Sequence, residues 1–196
     1  MSFEKNRREI IHLLNERYPN GIGCEVGVLR GDFSEHLLSH WNCSKLYLVD
    51  CWKEHDDYDE TFHNHETNYS IMKNKLSPYK DRIEVCKGYS NKVVQCFDND
   101  AFDFIYIDAN HSYEGCKMDL DLYWDKLKSG GILMGDDYHL KEVEELNFGG
   151  NKVTFGVTKA VQECTKRKNR IYDISYTADW KYASPDICAR NFVIQK

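Results

Sequence analysis

A chain of 196 residues gives room for one domain with a full core and too little for two comfortable ones. With 41% apolar and 30% charged residues the composition is that of an ordinary globular protein, and no apolar run approaches the length that spans a bilayer. A formal charge of −6 opposes a nucleic-acid backbone, so neither nucleic acid nor membrane is an expected partner.

The opening MSFEKNRREI has charges but no apolar segment or small-residue cleavage site behind it, which makes the cytoplasm the expected location. Residues 3 to 18 place Phe3, Arg7, Ile10, Ile11, Leu14 and Tyr18 at helical spacing, and Pro19-Asn20-Gly21 stops them. A helix over 1–20 therefore precedes a sheet. Residues 22 to 28 form a short apolar strand that leads through Gly31 into a helix with Phe33, Leu37 and Trp41 on one face, and Asp32 with Glu35 fits a capping box at its start. LYLVD at 46 to 50 has the composition of a buried strand, and residues 60 to 77 form the next helix, with Phe62, Tyr69, Met72 and Leu76 inward. RIEVCK at 82 to 87 alternates apolar and charged residues as an edge strand does. FDFIYID at 102 to 108 is a further strand. The helix after it buries Cys116, Leu120, Tyr123 and Leu127, and Gly130-Gly131 ends that helix and opens the strand ILMGD. A Gly-containing connection at 138 to 153 precedes a helix with Val157, Ala160, Val161 and Cys164 on one face, and 171–176 and 191–196 read as two closing strands.

Strands and helices alternating at these lengths call for a doubly wound α/β domain, a mostly parallel sheet with a C-terminal antiparallel hairpin, occupying 1–196 as a single unit. Such sheets bind ligands outside the carboxyl ends of their strands, where strand order reverses. The eight cysteines, at 24, 43, 51, 86, 96, 116, 164 and 188, form no CxxC pair and are read as reduced core residues.

Two apolar strands end in carboxylates, one in Asp108 and the other in Asp136 and Asp137. Neighbouring parallel strands lie roughly 4.8 Å apart, so acids at their ends can share one ion. Oxygen ligands without cysteine favour Mg²⁺, Mn²⁺ or Ca²⁺ over zinc. His111, just beyond Asp108, is the candidate general base, with helix capping as its bland alternative. After the first strand, Gly27 and Gly31 let the backbone turn sharply and approach a ligand. The second strand ends in Asp50, placed to accept both hydroxyls of a ribose, with Trp52 close behind, and KGYS at 87 to 90 can border an adenine. The phosphate fingerprint GxGxxG is missing after the first strand, which disfavours a nicotinamide oxidoreductase.

EVGVLRG, LVD and IDANHSYEGCKMDLDLYW, in this order, resemble the class I S-adenosylmethionine-dependent methyltransferases over nearly the whole chain. Within that class, Asp108, His111, Tyr113, Asp119 or Asp121, Gly130, Gly131, Asp136 and Asp137 look like the metal-dependent O-methyltransferases that act on antibiotic sugars and glycans. The resemblance implies cofactor contacts from Glu25, Gly27, Gly31, Ser34, Asp50, Trp52, Ser90 and Asp108, and metal ligation by Asp108, Asp136 and Asp137. It implies methyl transfer to a hydroxyl of a sugar or glycan, assisted by Mg²⁺ or Mn²⁺, in a chain compatible with a homo-oligomer. A catechol-type phenol O-methyltransferase is the runner-up, and a non-catalytic nucleoside-binding module is the alternative from another class.

Overall fold

The structure, a computed structural model, describes residues 10–53, 64–138, 146–148, 151–153, 155–176 and 190–196. In chain order the elements are α1 (Ile10–Arg17), β1 (Ile22–Val26), α2 (Asp32–His40), β2 (Lys45–Asp50), α3 (His65–Leu76), β3 (Ile83–Lys87), the one-turn α4 (Ser90–Val93) and β4 (Phe102–Ile107). There follow α5 (Tyr113–Trp124), β5 (Leu127–Tyr138), a small hairpin of β6 (Leu146–Phe148) and β7 (Asn151–Val153), α6 (Val157–Lys168), β8 (Tyr172–Tyr176) and β9 (Arg190–Gln195).

Seven strands form one sheet in the order β3-β2-β1-β4-β5-β9-β8. The first five are parallel, and β9 runs antiparallel to both β5 and β8. The expected doubly wound sheet with its antiparallel hairpin is what the chain forms. The return strand β9 lies inside β8, next to β5, and the edge strand β3 is where its alternation put it.

Side chains of β1, β2 and β4 alternate between two cores, because successive residues of a strand face opposite sides. Leu46, Leu48, Phe104 and Tyr106 join one with Leu14, Leu37 and Trp41, on the side of α1 to α3. Cys24, Val26, Ile105 and Ile107 join the other with Leu120, Val161 and Phe192, on the side of α5 and α6. Trp41 is 1% exposed, packs edge-on against Phe104 at 5.9 Å and donates from Nε1 to Tyr18 O at 3.1 Å. Truncating a buried ring of that size costs about 3–5 kcal/mol.

Three expectations change. The capping box at α2 does not form: Gly31, with φ 73°, is the N-cap, and the Asp32 carboxylate pairs with Lys75 of α3. Leu127 belongs to β5 and not to a helix, since it pairs with Phe102 while α5 ends at Trp124. Gly130 and Gly131 then lie within the strand, at an irregularity where the register passes from Phe102↔Leu127 to Phe104↔Ile132. The cysteines divide: Cys24, Cys43, Cys116 and Cys164 are buried, Cys51 and Cys86 half-buried and Cys96 exposed, all as free thiols. Phe3, Arg7, Phe62 and Cys188 lie outside the described residues.

Candidate functional site

Strand order reverses between β1 and β4, and the backbone there is packed to contact. Gly27 has φ +92°, and a Cβ on it would sit 1.9 Å from Asp108 O, so the turn after β1 and the end of β4 meet with no side chain between them. Asp108 N donates to Val26 O at 2.8 Å, which extends the strand pairing to the acid. Asp50 stabilises the turn from the neighbouring strand end. Its Oδ2 accepts from Val28 N and Leu29 N, each at 2.9 Å, and its Oδ1 from Trp52 N at 2.8 Å. A carboxylate offers about four acceptor positions, so three are used by backbone. Trp52 is 4% exposed, with Nε1 bonded to Leu29 O at 2.8 Å and its ring 4.8 Å from Tyr69.

Beyond β4, Asn110 and Ser112 shape the loop: Asn110 Oδ1 accepts from Ser112 N at 2.9 Å, and Ser112 Oγ caps α5 by accepting from Gly115 N at 3.1 Å. Capping is thus done by Ser112, not by His111. His111 turns instead to the strand ends, where Nε2 lies 3.2 Å from Asp108 Oδ1 and 3.1 Å from Asp137 Oδ2. Ligand atoms of Asp108, His111 and Asp137 all lie within 4.8 Å of one another, the one such group of metal-ligating side chains among the described residues. The two carboxylates fit a hard divalent ion such as Mg²⁺ or Mn²⁺, and the imidazole beside them is placed to exchange a proton.

Asp136 does not join that group. It is 8% exposed, and its Oδ1 accepts from Asn191 Nδ2 of β9 at 2.9 Å. Adjacent strand residues face opposite ways, and Asp137 has φ 56°, so only one of the pair reaches His111.

The other residues implied as cofactor contacts are distributed around this mouth. Glu25 and Ser34 lie beneath it as a buried pair, Ser34 Oγ donating to Glu25 Oε2 at 2.5 Å. Gly31 is pressed against α3, where a Cβ would meet Met72 Cγ at 3.1 Å. Ser90, at the carboxyl end of β3, donates to Asp119 Oδ1 of α5 at 2.6 Å. Burial pushes the Asp119 carboxyl up to about 6, against the lowering effect of that hydrogen bond. Burial likewise holds the Cys116 thiol well above its usual range, so it stays neutral.

Two residues of the site carry no signal in the sequence around them. The Phe155 ring stacks on His111, centroids 5.5 Å apart and planes 4° apart, and the next residue, Gly156, donates its N–H to His111 O at 2.8 Å. Asn191, fully buried, reaches Asp136 from β9. A strand end ILMGDD followed much later by a buried amide has no spacing that would announce the pair.

The carboxylate acceptors at the mouth, Asp108 and the position that the backbone leaves on Asp50, lie on strands either side of β1 and suit hydroxyls and a positive sulfur better than a pyrophosphate, which calls for N–H groups at a helix start. Among the described residues no helix is long and apolar enough to cross a membrane.

The chain is similar in fold to a rRNA methylase from Streptococcus thermophilus, with 12% identity, 98% of this chain and 97% of that chain covered and a TM-score of 0.64. It is similar also to the N-methyltransferase NodS from Bradyrhizobium japonicum, with 13% identity over 97% and 93% of the two chains and a TM-score of 0.63. A protein described as a caffeoyl-CoA O-methyltransferase from Staphylococcus aureus matches at 17% identity over 95% and 81%, with a TM-score of 0.64. At such identities the likeness speaks for the fold. No curated protein matches the chain significantly. A family model described as a methyltransferase domain matches residues 24–138, more than half of the sequence and all of the segment that carries Gly27, Asp50, Asp108, His111 and Asp137. The chain therefore belongs to the methyltransferase-domain family, for which S-adenosylmethionine is the expected cofactor.

Proposed function

We propose that this chain is an S-adenosylmethionine-dependent O-methyltransferase that acts on a hydroxyl of a sugar or glycan, with a divalent cation held by Asp108 and Asp137. The observation that carries the reading is the meeting of Asp108, His111 and Asp137 beside the Gly27 turn. A domain that merely binds a nucleoside has no use for two carboxylates and an imidazole at that place.

S-adenosylmethionine, when bound, supplies a methyl group on a positively charged sulfur. A divalent cation, when bound, supplies charge that favours the deprotonated form of the acceptor hydroxyl. His111 Nε2 takes the acceptor proton as the oxygen lone pair forms the new bond to the methyl carbon, and the electron pair of the breaking bond stays on sulfur. That proton is received between Asp108 and Asp137, and the stacked Phe155 ring with the Gly156 N–H keeps the imidazole aimed. The Gly27 turn, held by Asp50, and the Ser90 segment form the walls for the nucleoside. Holding two reactants in line contributes up to roughly 7–11 kcal/mol in favourable model systems.

A phenolic acceptor is the second reading, favoured by the likeness to the protein named for a caffeoyl ester and by the aromatic face of Phe155 at the site. RNA is disfavoured as an acceptor by the net charge of −6. Transfer of labelled methyl to a panel of glycosides and catechols, with and without EDTA, tests the proposal. Transfer to glycosides that stops in EDTA is the expected result, and transfer to catechols alone replaces the sugar reading with the phenol one. Binding of NADH without binding of S-adenosylhomocysteine would overturn both.

A further inference from the structure

Asp119 lies outside the group around His111, yet among the described residues it is one of the most completely buried acids, at 1% exposure. Its neighbours Cys116, Leu120 and Tyr123 belong to an apolar core, where an uncharged side chain would cost less than a carboxylate. What it does there is to accept the Ser90 hydroxyl at 2.6 Å. A second bond from the same helix, Tyr123 Oη to Ser90 O at 3.2 Å, fixes the backbone of that residue. Helix α5 thus holds Ser90 by its carbonyl and by its hydroxyl, at the carboxyl end of β3, where a sheet of this kind receives its ligand.

We propose that Asp119 is a positioning residue that sets the hydrogen-bond polarity of Ser90, and through it makes the pocket select a 6-amino purine over a 6-oxo purine. The inference rests on the cofactor reading above, which puts Ser90 beside the adenine.

A serine hydroxyl has one proton to give and two lone pairs. An ionised carboxylate can only accept, so the proton of Ser90 is committed to Asp119, and Oγ is left as an acceptor towards the ligand. The 6-amino group of adenine donates to it. The 6-oxo group of hypoxanthine presents a second acceptor, which leaves two oxygens facing each other away from water. Asp119, held up at about 6 by its burial, is ionised at about pH 8, the condition for the measurement.

Calorimetric titration of the intact chain with S-adenosylhomocysteine and with S-inosylhomocysteine reads the selection. The wild type is expected to prefer the adenosyl ligand by on the order of tenfold or more, the consequence of one buried acceptor left unpaired. Asp119→Ala frees the hydroxyl to turn and donate, and the ratio falls towards one. Asp119→Asn keeps an accepting oxygen and retains the preference, a rescue that a role in packing alone would not produce. Ser90→Ala removes the reader and loses the preference with Asp119 in place. An unchanged ratio in a folded Asp119→Ala protein overturns the inference. Should that variant not fold, an unchanged ratio in Ser90→Ala overturns it equally. A wild type that binds both ligands alike refutes this inference and leaves the cofactor reading standing, whereas a wild type that binds neither refutes the cofactor reading itself.

Discussion

Replacing Gly27 with alanine probes the contact on which the site is built, and Gly130 supplies the matched control. Both have positive φ, 92° and 80°, so alanine at either pays a conformational cost of about 1 kcal/mol. Around Gly130 nothing lies within 4 Å of the new Cβ, and the cost stops there. At Gly27 the Cβ would stand 1.9 Å from Asp108 O and 2.4 Å from Asp108 C, main-chain atoms that have no rotamer to escape into. The turn must move away from β4, which adds about 1–3 kcal/mol of overpacking. Gly27→Ala is thus expected to lose about 2–4 kcal/mol. A domain of this size shifts by roughly 2–4 °C per kcal/mol, so Tm should drop by roughly 4–16 °C, against roughly 2–4 °C for Gly130→Ala. Thermal unfolding followed by circular dichroism measures both, and calorimetry with S-adenosylhomocysteine should show weakened binding for Gly27→Ala only. Equal destabilisation by the two substitutions would refute the argument from close approach.

Dialysis against EDTA is expected to abolish methyl transfer and Mg²⁺ or Mn²⁺ to restore it; full turnover in chelator would remove the cation from the proposal. His111→Ala should lower turnover by about 10²–10⁴-fold while S-adenosylhomocysteine affinity stays within about threefold, and an unchanged rate would strip the imidazole of its role as base. The Asp119 carboxyl, at about 6 in the folded protein against an ordinary 3.8, takes up its proton on folding between roughly pH 7 and 4. Its contribution to stability therefore grows as pH falls through that window, by on the order of 3 kcal/mol, and Asp119→Asn removes it. Urea unfolding of both proteins at the two ends of the window measures the difference, and parallel pH dependences would show that Asp119 titrates as an exposed acid does.

Much of this site was legible because its acids terminate apolar strands. Asp50 ends β2, Asp108 directly follows β4 and Asp137 is the last residue but one of β5, and a parallel sheet brings such ends to one edge. Which of Asp136 and Asp137 turns inward was not legible, since it depends on the positive φ of Asp137, a conformation that no neighbouring residue type demands. Leu127 follows Tyr123 by four residues, so its spacing reads as helix; the pairing with Phe102, which is not local, decides against it. Asp32 and Glu35 have the spacing of a capping box, and the left-handed Gly31 with Lys75 on the next helix overrides it. Phe155 and Asn191 reach the site from far along the chain, and a single sequence offers no period or spacing that links them to His111 and Asp136.

The place of β9 has a consequence for how the molecule assembles. It pairs with β8 beside it and with β5, from Ile132↔Gln195 to Gly135↔Phe192, so the β8–β9 ribbon docks onto a parallel half whose own strands join without it. Before docking, Ile132, Leu133 and Met134 line an open edge of unpaired backbone groups, a template on which one molecule can add to another. Recovery from denaturant should accordingly fall as protein concentration rises, and substitutions that loosen Phe192 or Ile194 should reveal themselves first as precipitate.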